Sequence, residues 1–197
     1  MPATRLVYKI LFLFSFAISF IITFKAEQII SLIFGGEYAN AYLPMTILFW
    51  SILFTYFNTF TLNLLTVYNK QKYNFFATLL IVVVQIVLVV LLTPIYSYSG
   101  VAIARVAAGA AGTIFFIFIL RGIGIQFNFF SIRVTKWLFP LVIGVVALSF
   151  IPFYAYLPLA FLLTVVLTIK VKYFSPEEIG LILRAINYDS WKSKFIN

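Results

Sequence analysis

Residues 79 to 120 read LLIVVVQIVLVVLLTPIYSYSGVAIARVAAGAAGTIFFIFIL. This is an apolar arm, a short uncharged break and a second apolar arm, with Arg105 as the only charge in the stretch. Each arm holds roughly 20 residues, the length an α-helix needs to cross a hydrocarbon core of about 30 Å. Pro94 is expected to end the first arm, because proline lacks the amide donor and biases its predecessor away from the helical region. Gly100 is expected to open the second. The stretch therefore predicts a helical membrane hairpin, and the rest of the chain is built of the same material.

Composition agrees. Of 197 residues, 64% are apolar, 20% aromatic and 10% charged, far from the about 25% charged residues of a soluble domain. Cysteine and histidine are both absent, which removes disulfides, thiolate nucleophiles, haem ligation and the commonest zinc sites. A net charge of +9 would point to nucleic acid in a soluble domain. Here the basic residues sit in short loops between apolar spans, which is the positive-inside pattern; no nucleic-acid partner is expected.

The sequence predicts an all-α, polytopic helix bundle of six spans, at about 6–24, 43–66, 75–92, 100–120, 137–153 and 156–169, with a tail from 171 to 197. Arg5, Lys9, Lys70, Lys72, Arg121, Arg133, Lys136, Lys170 and Lys172 alternate onto one side of the membrane, and Lys25 stands on the other beside Glu27 and Glu37. Both termini are thereby expected on the cytoplasmic face of the plasma membrane. In the tail, Ser175-Pro176-Glu177-Glu178 is a capping-box start with proline at the first helical position. Ile179, Ile182, Leu183 and Ile186 then recur with helical period, so a short amphipathic helix should lie on the membrane surface or pack under the bundle.

Polar residues fall on faces rather than at random. Ser15, Ser19 and Thr23 share one side of the first span, which predicts close helix packing. The second span carries Thr55, Thr59, Asn63 and Thr66 on one side, with Asn58 and Thr61 beside them. On the third, Asn74, Thr78 and Gln85 share a face. Buried amides in hydrocarbon need partners, so these sides should turn toward one another or toward water. Gln85 could bind sugar hydroxyls or bond between helices. The fourth span has Ala104, Ala108 and Gly112 on one row and Arg105, Gly109 and Thr113 on the next, a pattern that lets backbones approach closely. The acids Glu27, Glu37, Glu177, Glu178 and Asp189 all fall in loops or tail. No catalytic residue, metal ligand or cofactor site is therefore expected, and enzymatic chemistry gives way to binding and passage.

Three patches carry a family resemblance. Thr93-Pro94, an aromatic turn and Gly100-Val101-Ala102-Ile103-Ala104-Arg105 form the first. Leu32-Ile33-Phe34-Gly35-Gly36-Glu37-Tyr38-Ala39-Asn40-Ala41 is the second, and Asn69-Lys70-Gln71-Lys72 the third. Together, in this order, they resemble the carboxyl-terminal lobe of polysaccharide and oligosaccharide exporters of the multidrug/oligosaccharidyl-lipid/polysaccharide flippase superfamily. The resemblance implies one six-helix lobe of a two-lobed transporter, moving a polyprenyl-diphosphate-linked oligosaccharide across the membrane for surface polysaccharide assembly. It also implies, as partners, membrane lipids and either a separate amino-terminal lobe or a second copy of the chain.

Two functions are then in main competition, with an enzyme acting on lipid head groups at the loops as a third option. For a transporter, Arg105, Gln85, Asn58 and Asn63 are the candidate substrate-binding residues, lining a watery cavity. For an accessory membrane subunit, or a fragment of a longer flippase, the same groups only pack helices together.

Overall fold

The computed structural model describes residues 2–124, 132–171 and 173–186; Lys172 and Asp189, and the side chains of Arg133, Leu183 and Ile186, lie outside what is described. The described chain is all-α. Its elements are α1 (Pro2–Thr23), α2 (Ala26–Phe34), a 3₁₀ turn (Gly36–Ala41), α3 (Tyr42–Val67), α4 (Gln71–Tyr96), α5 (Tyr98–Gly122), α6 (Ile132–Leu148), α7 (Phe153–Lys170) and α8 (Pro176–Ile186). Five of these, α1, α3, α4, α5 and α7, are long and apolar enough to cross a membrane. This is the architecture of a multi-pass membrane protein. The sixth expected span, α6, has 17 residues, about 25 Å at 1.5 Å per residue.

Helix α1 belongs to two packing units at once. On one side, Tyr8 joins Phe57, Leu65, Ala77, Phe116 and Leu120 in a core shared by α1, α3, α4 and α5. On the other, Ala17 and Ile21 join Trp137, Leu141, Val145, Tyr156, Ala160 and Tyr173 in a core shared with α6, α7 and the segment before α8. The serine and threonine row of α1 makes the close seam with α3: Ser19 Oγ donates to the Phe49 carbonyl at 2.6 Å, and Trp50 Nε1 donates to Thr23 Oγ1 at 3.2 Å.

The break in the hairpin is shorter than the sequence suggests. Pro94 lies inside α4, which runs on to Tyr96, and α5 begins at Tyr98, so Ser97 alone joins them. Proline forfeits one hydrogen bond, to the carbonyl four residues earlier, and this close to the helix end little remains to be broken. Ser97 takes φ 53°, its amide donating to the Thr93 carbonyl at 2.8 Å. Gly100 has a different task from opening a helix. It is buried in the first turn of α5, where a Cβ would stand 2.5 Å from the Leu92 carbonyl oxygen; only glycine lets the two backbones come so close.

The last two spans also shift. Helix α6 starts at Ile132 rather than 137 and ends at Leu148, while Pro152 precedes α7, which starts at Phe153 rather than 156. The last span is consequently 18 residues, not the 14 read from the sequence. The basic turn after α7 leads to α8, which packs under the bundle. The Ser175 amide donates to Glu178 Oε2 at 2.7 Å, the Glu178 amide to Ser175 Oγ at 3.3 Å, and Lys9 Nζ reaches both carboxylate oxygens at 2.6 and 2.9 Å. Burial pushes the Glu178 carboxyl up, but the Lys9 hydrogen bond, the Ser175 amide and the lysine charge outweigh it, and the net shift is downward.

Candidate functional site

The four residues singled out from sequence go to three different places. Asn58 is buried in the seam between α3 and α5. Its Nδ2 donates to the Gly109 carbonyl at 3.0 Å, and its Oδ1 accepts from Thr113 Oγ1 at 2.9 Å. The small row of α5 makes this possible: a Cβ on Gly109 would stand 2.9 Å from the Phe54 Cβ, and one on Gly112 would stand 3.1 Å from Asn58 Nδ2 and closer still to Ile81. Glycine thus brings α5 against α3 on one row and against α4 on the next. Asn58 has both ends of its amide engaged and is part of the packing.

Arg105 and Gln85 meet across α4 and α5. Arg105 Nη1 donates to Gln85 Oε1 at 3.2 Å, and both residues are half-buried. A guanidinium offers five N–H donors, and among the described residues no carboxylate pairs with this one. A charge inside a span costs about 2.5 to 3.5 kcal/mol on insertion scales, and by default it marks an ion or substrate pathway. Arg105 is seven residues into α5, about 10 Å from its start at 1.5 Å per residue.

One helical turn toward the start of α5 from that position lies a crevice. A cavity of about 770 Å³ opens between α2, α3 and α5, lined among others by Ile30, Phe34, Leu48, Ile52, Tyr98, Val101 and Ala102. Arg105 follows Val101 and Ala102 by one helical turn on the same side of α5. Two smaller apolar cavities lie elsewhere, about 250 Å³ between α1, α3 and α5 and about 350 Å³ between α1, α7 and α8. None of the four candidate residues lines any of these three.

Asn63 stands apart from the others. It is exposed on α3, on a face that also presents Tyr56, Thr59 and Thr66. Thr66 is engaged, donating to the Leu62 carbonyl and accepting from Asn74 Nδ2, each at 3.0 Å. The polar row of the second span therefore divides. Asn58 and Thr61 turn inward, Thr61 standing 2.7 Å from the Tyr8 hydroxyl, while Tyr56, Thr59 and Asn63 face outward. Sequence reasoning did not single out Tyr56; its spacing of three and seven residues from Thr59 and Asn63 was the available signal. The crevice it also missed, because the wall supplied by α2 depends on how a loop folds back.

No protein-family model matches the chain, and neither a curated protein nor a solved structure matches it.

Proposed function

We propose that the chain is one lobe of a membrane transporter for an anionic, lipid-linked substrate. The class is the polyprenyl-diphosphate-linked oligosaccharides that the resemblance implies. In this reading the protein sits in the plasma membrane, with the basic helix ends and both termini cytoplasmic as the loop charges suggest, and a second lobe completes the path. The observation that carries the reading is Arg105: a cation inside a membrane-length helix, bonded among the described residues to Gln85 alone and one helical turn beyond Val101 and Ala102, which line an apolar crevice. A diphosphate suits the guanidinium, and an isoprenoid chain suits the apolar walls. The sugar portion would fall to neutral polar groups, of which Gln85 and Asn63 are the candidates.

The test is binding and flipping in proteoliposomes with a fluorescent polyprenyl-diphosphate oligosaccharide. Arg105→Ala should lose most of the binding and Arg105→Lys should retain part of it, since charge matters more than fork geometry toward a mobile phosphate. Wild-type binding by Arg105→Ala at equal protein would refute the proposal.

A second reading has its own support. Asn58, Thr113 and Gly109 form a closed set of hydrogen bonds within a close-packed seam, which is how an accessory subunit would use the same residue types. In that case both Arg105 variants behave as wild type toward every lipid-linked anion tested.

A further inference from the structure

The end of α2 carries an inference that does not depend on transport. Leu32, Ile33 and Phe34 close this nine-residue helix, and they are 72%, 64% and 64% exposed. Successive residues point about 100° apart around a helix, so the three look out over more than half of its circumference. Beyond them the chain turns at Gly35, with φ 94°, and a Cβ on either Gly35 or Gly36 would meet nothing within 4 Å. The tip is bare on several sides at once. A partner helix or subunit covers one side of a helix, which then shows an apolar stripe at spacings of three and four. Three consecutive bulky side chains pointing in three directions are matched instead by a fluid apolar medium.

The neighbours of the tip fix its depth. Two residues separate α2 from α1, and the 3₁₀ turn runs straight into α3; α1 and α3 are both membrane-length helices. Ile30 and Phe34 line the same crevice as Met45 and Leu48 of α3 and Val101 and Ala102 of α5. Those four residues lie within the first two turns of their helices, about 5 to 10 Å from the start at 1.5 Å per residue. Helix α2 therefore folds back beside the ends of the spans rather than standing clear of them. Polar groups limit the depth from the other direction. Glu27 and Gln28 in the first turn of α2, and Glu37 just past the tip, are exposed, and a carboxylate stays where water reaches it. Tyr38 and Tyr42, also exposed, are of the residue type that gathers at head-group level. We propose that Leu32 and Ile33 form a shallow wedge inserted at the boundary between head groups and acyl chains, in the leaflet where α3 and α5 begin. The partner is lipid hydrocarbon. Neither residue lines the crevice, so α2 meets the bilayer with one part of its surface and the crevice with another.

The chain contains no cysteine, so depth can be read one position at a time. Single cysteines are introduced as Leu32→Cys and Ile33→Cys at the tip, Gln28→Cys at the polar start of α2, and Ile86→Cys on the exposed side of α4. Each full-length variant carries a nitroxide label and is reconstituted into phosphatidylcholine vesicles. Collision of the label with oxygen, which concentrates in hydrocarbon, is compared with collision with a water-soluble nickel chelate. Labels at 32 and 33 should be open to oxygen and shielded from nickel, at about 5 to 10 Å below the head-group surface, the depth of an interfacial helix. The label at 28 should be reached by nickel, and the label at 86 should lie deeper than all three. Nickel reaching 32 and 33 as readily as 28 would place the tip in water and overturn the proposal. Labels at 32 and 33 shielded from both reagents would mean that protein covers the tip, and labels as deep as 86 would mean a segment that dives into the bilayer; either result also overturns it. The tip side chains are exposed, so the labels displace no core contact, and a wild-type melting temperature checks this. No lipid-linked substrate enters the experiment, so failure of the transport reading and failure of the wedge are separable.

Discussion

The two packing units that meet on α1 solve the same problem by opposite means. Where α3, α4 and α5 meet, large side chains such as Phe116 and Leu65 fill one end, but along α5 the contact is made of absences: Gly100, Ala104, Ala108, Gly109 and Gly112 are buried, and backbones come within reach of each other's carbonyls and Cβ atoms. Where α1, α6 and α7 meet, it is made of bulk. Trp137, Tyr156, Leu141 and Val145 are fully buried, Phe16 lies edge-on to Trp137 at 6.2 Å between centroids, and two of the large rings have a polar atom tied off. Trp137 Nε1 donates to Thr168 Oγ1 at 3.2 Å and the Tyr156 hydroxyl to the Ile21 carbonyl at 2.8 Å. Lipid tails are as apolar as leucine, so neither unit is held by the expulsion of water; what holds them is dispersion at short range and hydrogen bonding. The small-residue unit has no slack, since a backbone cannot turn aside. The aromatic unit can repack.

The difference can be broken first at Gly100. A valine there would drive its Cβ into the Leu92 carbonyl group and the Thr93 amide nitrogen, and we expect no folded monodisperse protein in detergent. Recovery of a wild-type melting curve would mean that the hairpin is looser than described. The corresponding cut in the other unit is Trp137→Ala, where a cavity forms and Thr168 loses the bond it accepts while keeping the one it donates to the Thr164 carbonyl. About 3 kcal/mol is the water-soluble expectation for such a truncation, and the measured loss should be smaller because the transfer term is weaker in lipid. The protein should still fold, with a lowered melting temperature.

A third cut separates α8 from both units. Glu178→Gln keeps the capping box, which accepts glutamine, while removing the charge that pairs with Lys9. We expect α8 to become protease-sensitive while α1 to α7 keep their melting temperature. The acid dependence follows from the direction of the Glu178 shift. Its carboxyl is lowered from 4.5 in the folded state, so the stabilisation is fully present above that value and is lost as pH falls through the lower, folded value. Docking of α8, followed by proteolysis, should be flat from pH 5 to 8 and should weaken only in stronger acid. Weakening near neutrality would point to a group other than Glu178.

The smallest expected effect sharpens the comparison most. Arg105 sits in the small-residue unit but contributes one 3.2 Å bond to Gln85, worth about 0.6 kcal/mol by the average for membrane proteins. Arg105→Met should therefore leave the melting temperature within about 1 °C. A large fall would show that the arginine is structural, and would remove the observation on which the transport reading stands.

How far the sequence foretold this differs between the units. The rows of α5 were readable, because small residues every four positions have few uses in lipid other than close approach, and Gly109 and Gly112 do meet α3 and α4. The paired bounds of α4 and α5 were not, because proline and glycine carry more than one physical meaning: Pro94 is tolerated in a last turn, and Gly100 serves contact rather than initiation. In the aromatic unit the start of α7 was hidden, since Pro152 and Pro158 both read as punctuation while Pro158 lies inside the helix. Of the candidate residues, sequence faces grouped Asn58 with Asn63 as neighbours. About 140° around α3, five residues at roughly 100° each, puts one in a buried seam and the other in the open, and which side is covered depends on where α5 lies.

The bond between Lys9 and Glu178 spans 169 positions in the chain. At 5 to 20 residues per second, Lys9 leaves the ribosome on the order of 10 to 30 s before its carboxylate exists. Through that interval the first helix is held by its other partners as they emerge, α3 first, through Ser19, Trp50 and Thr61, then α5 through Phe116 and Leu120, and the aromatic unit can only close once α6 and α7 arrive. The clasp is thus the last event in the making of the molecule. A chain whose synthesis stalls before residue 178 would carry an unneutralised amine at the foot of its first helix, a chemical mark by which incomplete product differs from complete.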